Sequence, residues 1–141
     1  MARKGRANAY VLDTWAIMAY LGDEQAGAEV EGLITEALEE DIPLYMSAVN
    51  AAEVWYTMAR RFSEAIADQS LSEINQFRVQ FQDIDMGLAL NAARFKARHK
   101  MSLADCFAAA LAVQVDGELV TGDSEFRSVV KEVKLLWLST E

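Results

Sequence analysis

The chain has 141 residues, the size of one domain, and a domain of this length buries a core without disulfides or structural metal. With 52% hydrophobic and 25% charged residues it is neither disordered nor fibrous, and one cysteine (Cys106) and one histidine (His99) exclude a disulfide pair and Cys- or His-rich metal sites. A net charge of −9 excludes bulk attraction to nucleic acid, so any action on nucleic acid requires a local reversal of that field.

Residues 1–8 are a short basic extension with Arg3, Lys4 and Arg6. From residue 7 to residue 59 there is no Lys or Arg, but there are ten Asp or Glu. Residues 9–12 predict a short buried strand, and Asp13-Thr14 predicts the cap of a helix over 15–21. The basic start and apolar 9–21 suggest a signal peptide, but Asp13 in its middle is unfavourable there. No run approaches the ~20 apolar residues needed to cross a bilayer. The expectation is a cytoplasmic protein with no membrane segment, which the free cysteine fits.

A helix is predicted over 24–40, with Val30, Leu33, Ile34, Ala37 and Leu38 on one face. Asp41-Ile42-Pro43 breaks it, and 44–46 predicts a second strand. Residues 48–62 predict a helix whose apolar stripe is Ala48, Ala52, Trp55, Ala59 and Phe62. Residues 65–77 read as a further helix or a bent extension. Residues 79–84 alternate like a strand, 86–100 are helical, and Ser102 opens a helix to 115. A strand at 119–121, a short helix at 124–131 and a strand at 134–138 complete the chain. Strands separated by helices imply right-handed crossovers and a parallel sheet. The expected fold is one α/β domain over 1–141, a three-layer α/β/α sandwich on a mostly parallel five-stranded sheet. Sites in such sheets lie beyond the carboxyl ends of the strands.

Four acids stand at those ends. Asp13 follows the first strand, Glu53 lies early in the helix after the second, Asp105 lies in the first turn opened by Ser102, and Asp123 follows the fourth strand. Each has a structural explanation. Asp13 and Asp123 suit helix caps, Ser102 and Asp105 have capping-box spacing, and Glu53 suits an exposed helix face. Together they favour function, because all four fall on one edge of one sheet. Asn50, Glu53 and Thr57 share a helical stripe that can face that edge. Converging carboxylates repel one another, and a hard divalent cation resolves this. Oxygen ligands without His or Cys point to Mg²⁺ or Mn²⁺.

Four segments carry a family resemblance: Tyr10-Val11-Leu12-Asp13-Thr14, Asn50-Ala51-Ala52-Glu53-Val54, Ser102-Leu103-Ala104-Asp105-Cys106, and Leu119 through Phe126 with Thr121-Gly122-Asp123. In this order they resemble the PIN-domain ribonucleases, most of all the VapC-type toxins of toxin–antitoxin pairs. The resemblance implies a PIN α/β/α sandwich and a catalytic quartet of Asp13, Glu53, Asp105 and Asp123. It implies a metal site at Asp13, Asp105 and Asp123, holding Mg²⁺ or Mn²⁺, with Thr14, Asn50, Thr121 and Glu125 in support. The implied partners are an RNA substrate, a cognate antitoxin and a second copy of the chain in a homodimer. The basic extension departs from the many members that begin almost at the first strand.

Two further groups have double readings. Arg94, Lys96, Arg98 and Lys100, and separately Arg127, Lys131 and Lys134, are phosphate contacts or solvated surface; Arg94 and Arg98 share one helix face, Lys96 and Lys100 another. Trp15, Met18, Trp55, Tyr56 and Met58 are core or a groove for a partner helix. A catalytically silent PIN-like module, a receiver-type signalling domain and an acidic scaffold are the competing readings of the whole chain.

Overall fold

The structure, a computed structural model, describes residues 6–22 and 25–139. Arg3 and Lys4 of the basic start, and Glu24 at the head of the second helix, lie outside the described residues. In chain order the elements are β1 (Tyr10–Leu12), α1 (Thr14–Leu21), α2 (Gln25–Glu39), β2 (Leu44–Ser47), α3 (Ala48–Arg61), α4 (Glu64–Gln76), β3 (Val79–Gln82), α5 (Met86–Arg98), α6 (Leu103–Gln114), β4 (Glu118–Thr121), a 3₁₀ helix at Ser124–Val129 and β5 (Lys134–Trp137). All strand pairings are parallel, in the order β3-β2-β1-β4-β5.

Strand alternation divides the interior into two cores. Tyr10, Leu12, Leu44, Met46 and Val120 face one side, where α1 to α4 contribute Ile17, Val30, Val54 and Ile74. Val11 and Leu119 face the other, closed by Leu88, Phe107, Leu111 and Phe126 from α5, α6 and the 3₁₀ helix. This is the expected α/β/α sandwich. Three of its helix-to-strand turns share one device. Two residues past the ends of α2, α4 and α6, Asp41, Arg78 and Asp116 take left-handed φ values of 55°, 64° and 50°. Such residues end helices and redirect the chain.

Three expectations change. The stripe of α3 is rotated by one residue: Asn50, Ala51, Val54 and Met58 are buried, while Ala52 is exposed and Phe62 is 66% exposed. An alanine-rich helix carries little apolar contrast, so spacing alone does not choose between adjacent stripes. The polar Asn50 is admitted because buried partners satisfy it. The short helix after Asp123 is a 3₁₀ helix and ends at Val129, two residues earlier than expected. β3 stops at Gln82, two residues earlier than its alternation suggests.

The α1–α2 hairpin depends on a close approach at Gly27. A Cβ there would lie 2.5 Å from the carbonyl oxygen of Ala19, a backbone atom that cannot swing aside. Gly32, five residues on in the same helix, has open space around it. Gly27→Ala is therefore expected to destabilise the fold by about 1–3 kcal/mol. Gly32→Ala is expected to stabilise it by up to about 1 kcal/mol through helix propensity. Urea unfolding of the two variants tests this; equal stabilities would mean that α1 and α2 do not meet at Gly27.

Candidate active site

The strand order reverses direction at β1. The chain steps from β1 outward through β2 to β3, then returns to build β4 and β5 on the other side. The crevice between the carboxyl ends of β1 and β4 is the topological switch point, where open parallel sheets bind ligands. Asp13 follows β1 and Asp123 lies two residues past β4, so both stand at this point.

Register joins the two strands here. Leu12 lies opposite Val120, so the next residues, Asp13 and Thr121, fall side by side. The Thr121 hydroxyl donates to Asp13 Oδ2 at 2.5 Å, and its oxygen accepts from the Asp123 amide at 3.0 Å. Asp13 Oδ1 accepts from the Ala16 amide at 2.8 Å and so caps α1. Asp13 thus uses both carboxylate oxygens and is only 1% exposed. The Trp15 indole lies across Gly122, between Thr121 and Asp123, so a side chain there would have to displace the ring. A Cβ there would sit 2.3 Å from the ring.

Asp105 stands in the first turn of α6, its amide donating to the Ser102 hydroxyl at 3.1 Å, and it is 8% exposed. Asp123 caps the 3₁₀ helix through the Glu125 amide at 2.9 Å. Carboxylate oxygens of Asp105, Asp123 and Glu125 lie within 4.8 Å of one another. The structure thus gathers Asp105 and Asp123 with Glu125. Asp13 sits behind them, held by Thr121, and Glu53 is half-buried on α3 outside the group. The charges act on one another all the same. Burial pushes the Asp13 carboxyl up to about 7, with Asp105 and Asp123 adding to the rise. Burial also pushes Asp105 up to about 7, with Asp123, Glu125 and Glu53 adding. Protonation relieves this repulsion in the metal-free protein. A cation held by hard oxygen donors relieves it without protons, and this donor set, free of His and Cys, fits Mg²⁺ or Mn²⁺.

Asn50 does not line this edge as an open polar stripe. It is buried, and its Nδ2 donates to Thr14 Oγ1 and to the Ala104 carbonyl, each at 3.2 Å. Its Oδ1 accepts from Ser47 Oγ at 2.7 Å. One side chain therefore ties together the first turns of α1, α3 and α6, the helices that carry Thr14, Glu53 and Asp105. Ser47, the cap of α3, belongs to this strut and was not singled out from the sequence; its place directly before a helix after a strand was the available signal.

The basic groups divide. Lys96 Nζ donates to the Met101 carbonyl at 2.6 Å, just ahead of α6, and Arg94 donates to Asn91 Oδ1 at 2.6 Å. Arg94 and Arg98 do share a face, which borders a groove between α5 and α6 with Phe95, Ala110 and Val113; no carboxylate of the cluster lines it. Lys100 is exposed. Lys134 opens β5, at the opposite end of the strands from the acids, and pairs with Asp116 at 2.8 Å. His99 pairs with Glu132 at 2.7 Å. Trp15, Met18, Trp55 and Met58 pack in or against the first core, as their core reading expects. Tyr56 is exposed, with Arg60 stacked on its ring at 4.9 Å.

The model of the family described as "PIN domain" matches residues 10–132. The chain belongs to the PIN domain family. Its members are nucleases, and the acids above stand at the switch point of that fold. No curated protein matches the sequence. Solved structures share the fold. VapBC2 from Rickettsia felis, bound to a promoter DNA fragment, is 16% identical with a TM-score of 0.73, over 93% of this chain and 99% of that one. VapBC-1 from nontypeable Haemophilus influenzae is 17% identical with a TM-score of 0.69, over 92% and 97%. VapC20 from Mycobacterium tuberculosis, a toxin that cleaves the sarcin–ricin loop, is 17% identical with a TM-score of 0.67, over 86% and 95%. The order β3-β2-β1-β4-β5 also sets aside the receiver-type reading, whose sheet runs 2-1-3-4-5.

Two outcomes are expected from this geometry. Asp13 and Asp105 bind protons in the folded state up to about pH 7, but in the unfolded state only up to the usual carboxylate range. Between these limits the folded state holds more protons, so stability falls as pH rises. The melting temperature of metal-free protein should therefore drop between pH 5 and pH 8, and Asp105→Asn should flatten that drop. A melting temperature that rises over the same range would mean that the acids are not crowded. Asn50→Ala should cost roughly 1–3 kcal/mol by leaving buried groups unpaired, and it should weaken Mg²⁺ binding measured by calorimetry. A loss of stability with unchanged Mg²⁺ affinity would make Asn50 a purely structural residue.

Proposed function

We propose that this PIN domain is a metal-dependent endoribonuclease and the toxin of a toxin–antitoxin pair. The observation that carries the reading is the gathering of Asp105, Asp123 and Glu125 at the switch point, with Asp13 held behind them by Thr121. Those three carboxylates would hold Mg²⁺ or Mn²⁺, with the charge of Asp13 in support. Such an ion supplies positive charge at the phosphate and lowers the pKa of a bound water.

The chain's own groups do the rest. Asp13, fixed at both oxygens, steadies the turn that carries Asp123, and it would carry its negative charge beside Asp105 and Asp123 once a cation offsets the repulsion. Glu53 is left free to accept a hydrogen bond from the attacking water. Attack by water leaves a 5′-phosphate and a 3′-hydroxyl and does not need the 2′-hydroxyl as nucleophile. The ion also meets the requirement set by a net charge of −9, because it inverts the field where the phosphate sits. A toxin role is supported by the solved VapBC complexes of the same fold. A second copy of the chain has an apolar face available on α5 and α6, where Met86, Leu90, Leu103 and Val113 are exposed.

Purified protein should cleave single-stranded RNA with Mg²⁺ or Mn²⁺ and lose activity in EDTA. Asp105→Asn should lower the rate by at least about a hundredfold and keep the fold, since its amide still donates to Ser102. Asp13→Asn is the less clean variant, because one of its two hydrogen bonds must change direction. End mapping should find 5′-phosphates. Cleavage that persists after full chelation, or 2′,3′-cyclic ends, would overturn the reading.

A further inference from the structure

A cleft of about 560 Å³ opens beside the acids, lined by Gly122, Ser124, Arg127, Val130, Trp137 and Leu138. Its size is that of a small-molecule site, about 300–1,000 Å³. Two of its walls, Gly122 and Ser124, are the residues on either side of Asp123, so the cleft begins where the carboxylates end. Trp137 closes β5 in register with Thr121 and is 42% exposed, a large aromatic surface left uncovered beside a polar site. Arg127 is exposed and, among the described residues, has no hydrogen-bond or ion-pair partner. Other exposed cations, among them Arg61, Arg78 and Arg98, are likewise unpartnered among the described residues, but Arg127 is the basic residue that lines this cleft. An unengaged guanidinium and an uncovered indole in one cleft are the two elements that hold an unpaired nucleotide: a planar fork for phosphate and a flat face for a base.

We infer that this cleft is a nucleotide subsite for single-stranded RNA, in which Trp137 stacks on the base of the nucleotide next to the cleaved bond and Arg127 contacts its phosphate. The inference rests on the ribonuclease reading above and adds to it where the substrate strand runs: outward from Asp123 across β5, not along α5. It also gives a physical reason for the single-stranded substrate. A base in a duplex is already stacked and paired, so only unpaired RNA offers a free face to Trp137.

The test is steady-state cleavage of a ten-nucleotide single-stranded RNA and of a duplex RNA by the full chain with Mg²⁺. Trp137→Ala should lower kcat/KM on the single strand by about tenfold or more, the usual worth of one base–aromatic stack. Trp137→Phe, which keeps a ring, should retain most of it; this second variant separates lost stacking from lost folding. Arg127→Gln should flatten the slope of log kcat/KM against log salt by about 0.7, one phosphate contact on a single strand. If wild-type protein cleaves but all three variants match it in rate and salt slope, the subsite is overturned and the ribonuclease reading stands. Equal losses on single-stranded and duplex RNA, or equal losses in the Ala and Phe variants, also overturn it. If wild-type protein cleaves neither RNA, the ribonuclease reading fails and the subsite falls with it.

Discussion

Like-charge repulsion at one end of the sheet is the constraint that the rest of this molecule accommodates. Asp13, Asp105, Asp123 and Glu125, with Glu53 near them, converge where β1 and β4 end. Carboxylates this close, two of them buried, favour separation or protonation. The fold holds them by placing Asp13, Asp105 and Asp123 in or just before the first turn of a helix. Asp13 and Asp123 accept backbone amides there, and Ser102 fixes the amide of Asp105. Free N–H groups and the positive end of the helix dipole suit negative charge at those places. Capping and convergence are therefore one arrangement. The residue types that terminate a helix are those that can present an oxygen beyond a strand, so a fold that ends its strands in capped helices assembles a cation site from its caps.

That arrangement stores instability in the metal-free protein, and the hydrogen-bonded strut at Asn50 contains it. Asn50 links Thr14, Ser47 and Ala104, which begin three different helices. A buried amide whose donors and acceptor are all engaged holds those helix ends at fixed separations. Apolar packing alone leaves such ends free to splay under the repulsion. A cation binding the native state converts the stored repulsion into attraction and stabilises the fold through linkage.

The sequence made much of this legible, for identifiable reasons. Strand and helix alternation set the parallel sheet, and acids directly after strands marked the edge that matters. What the sequence could not convey was rotation about a helix axis and pairing across distance. The α3 face was misread because alanines at adjacent positions do not discriminate between stripes one residue apart. Asn50 then looked like a site residue on a polar stripe, whereas its partners Thr14 and Ala104 are 36 and 54 residues away. Glu125 was read as support, yet its place two residues past Asp123 in a tight 3₁₀ turn brings its carboxylate among the others. Lys134 looked like one of a basic trio with Arg127 and Lys131. The 3₁₀ helix and the turn after it lead back along the sheet, so Lys134, the first residue of β5, lies at the far end of the strands, where Asp116 holds it.

The separation of Lys134 from Arg127 bears on how so acidic a chain handles an anionic polymer. Three cations are engaged within the chain: Lys134 on Asp116, Arg6 on Glu40, Lys96 on the Met101 carbonyl. They neutralise or brace local structure and present little free positive charge. With a net charge of −9, long-range attraction of RNA is weak at physiological ionic strength, where exposed charges act over only ~8 Å. On the subsite inferred above, binding would come from short-range terms instead: the field of a bound cation, the Arg127 guanidinium and the exposed face of Trp137. Such contacts reward a strand whose bases are already exposed and give little to a stiff duplex, whose binding depends mainly on many simultaneous phosphate contacts. On that reading, an acidic nuclease of this kind would select its substrate by what is unpaired, and its net charge would work against indiscriminate binding to the far larger pool of paired nucleic acid.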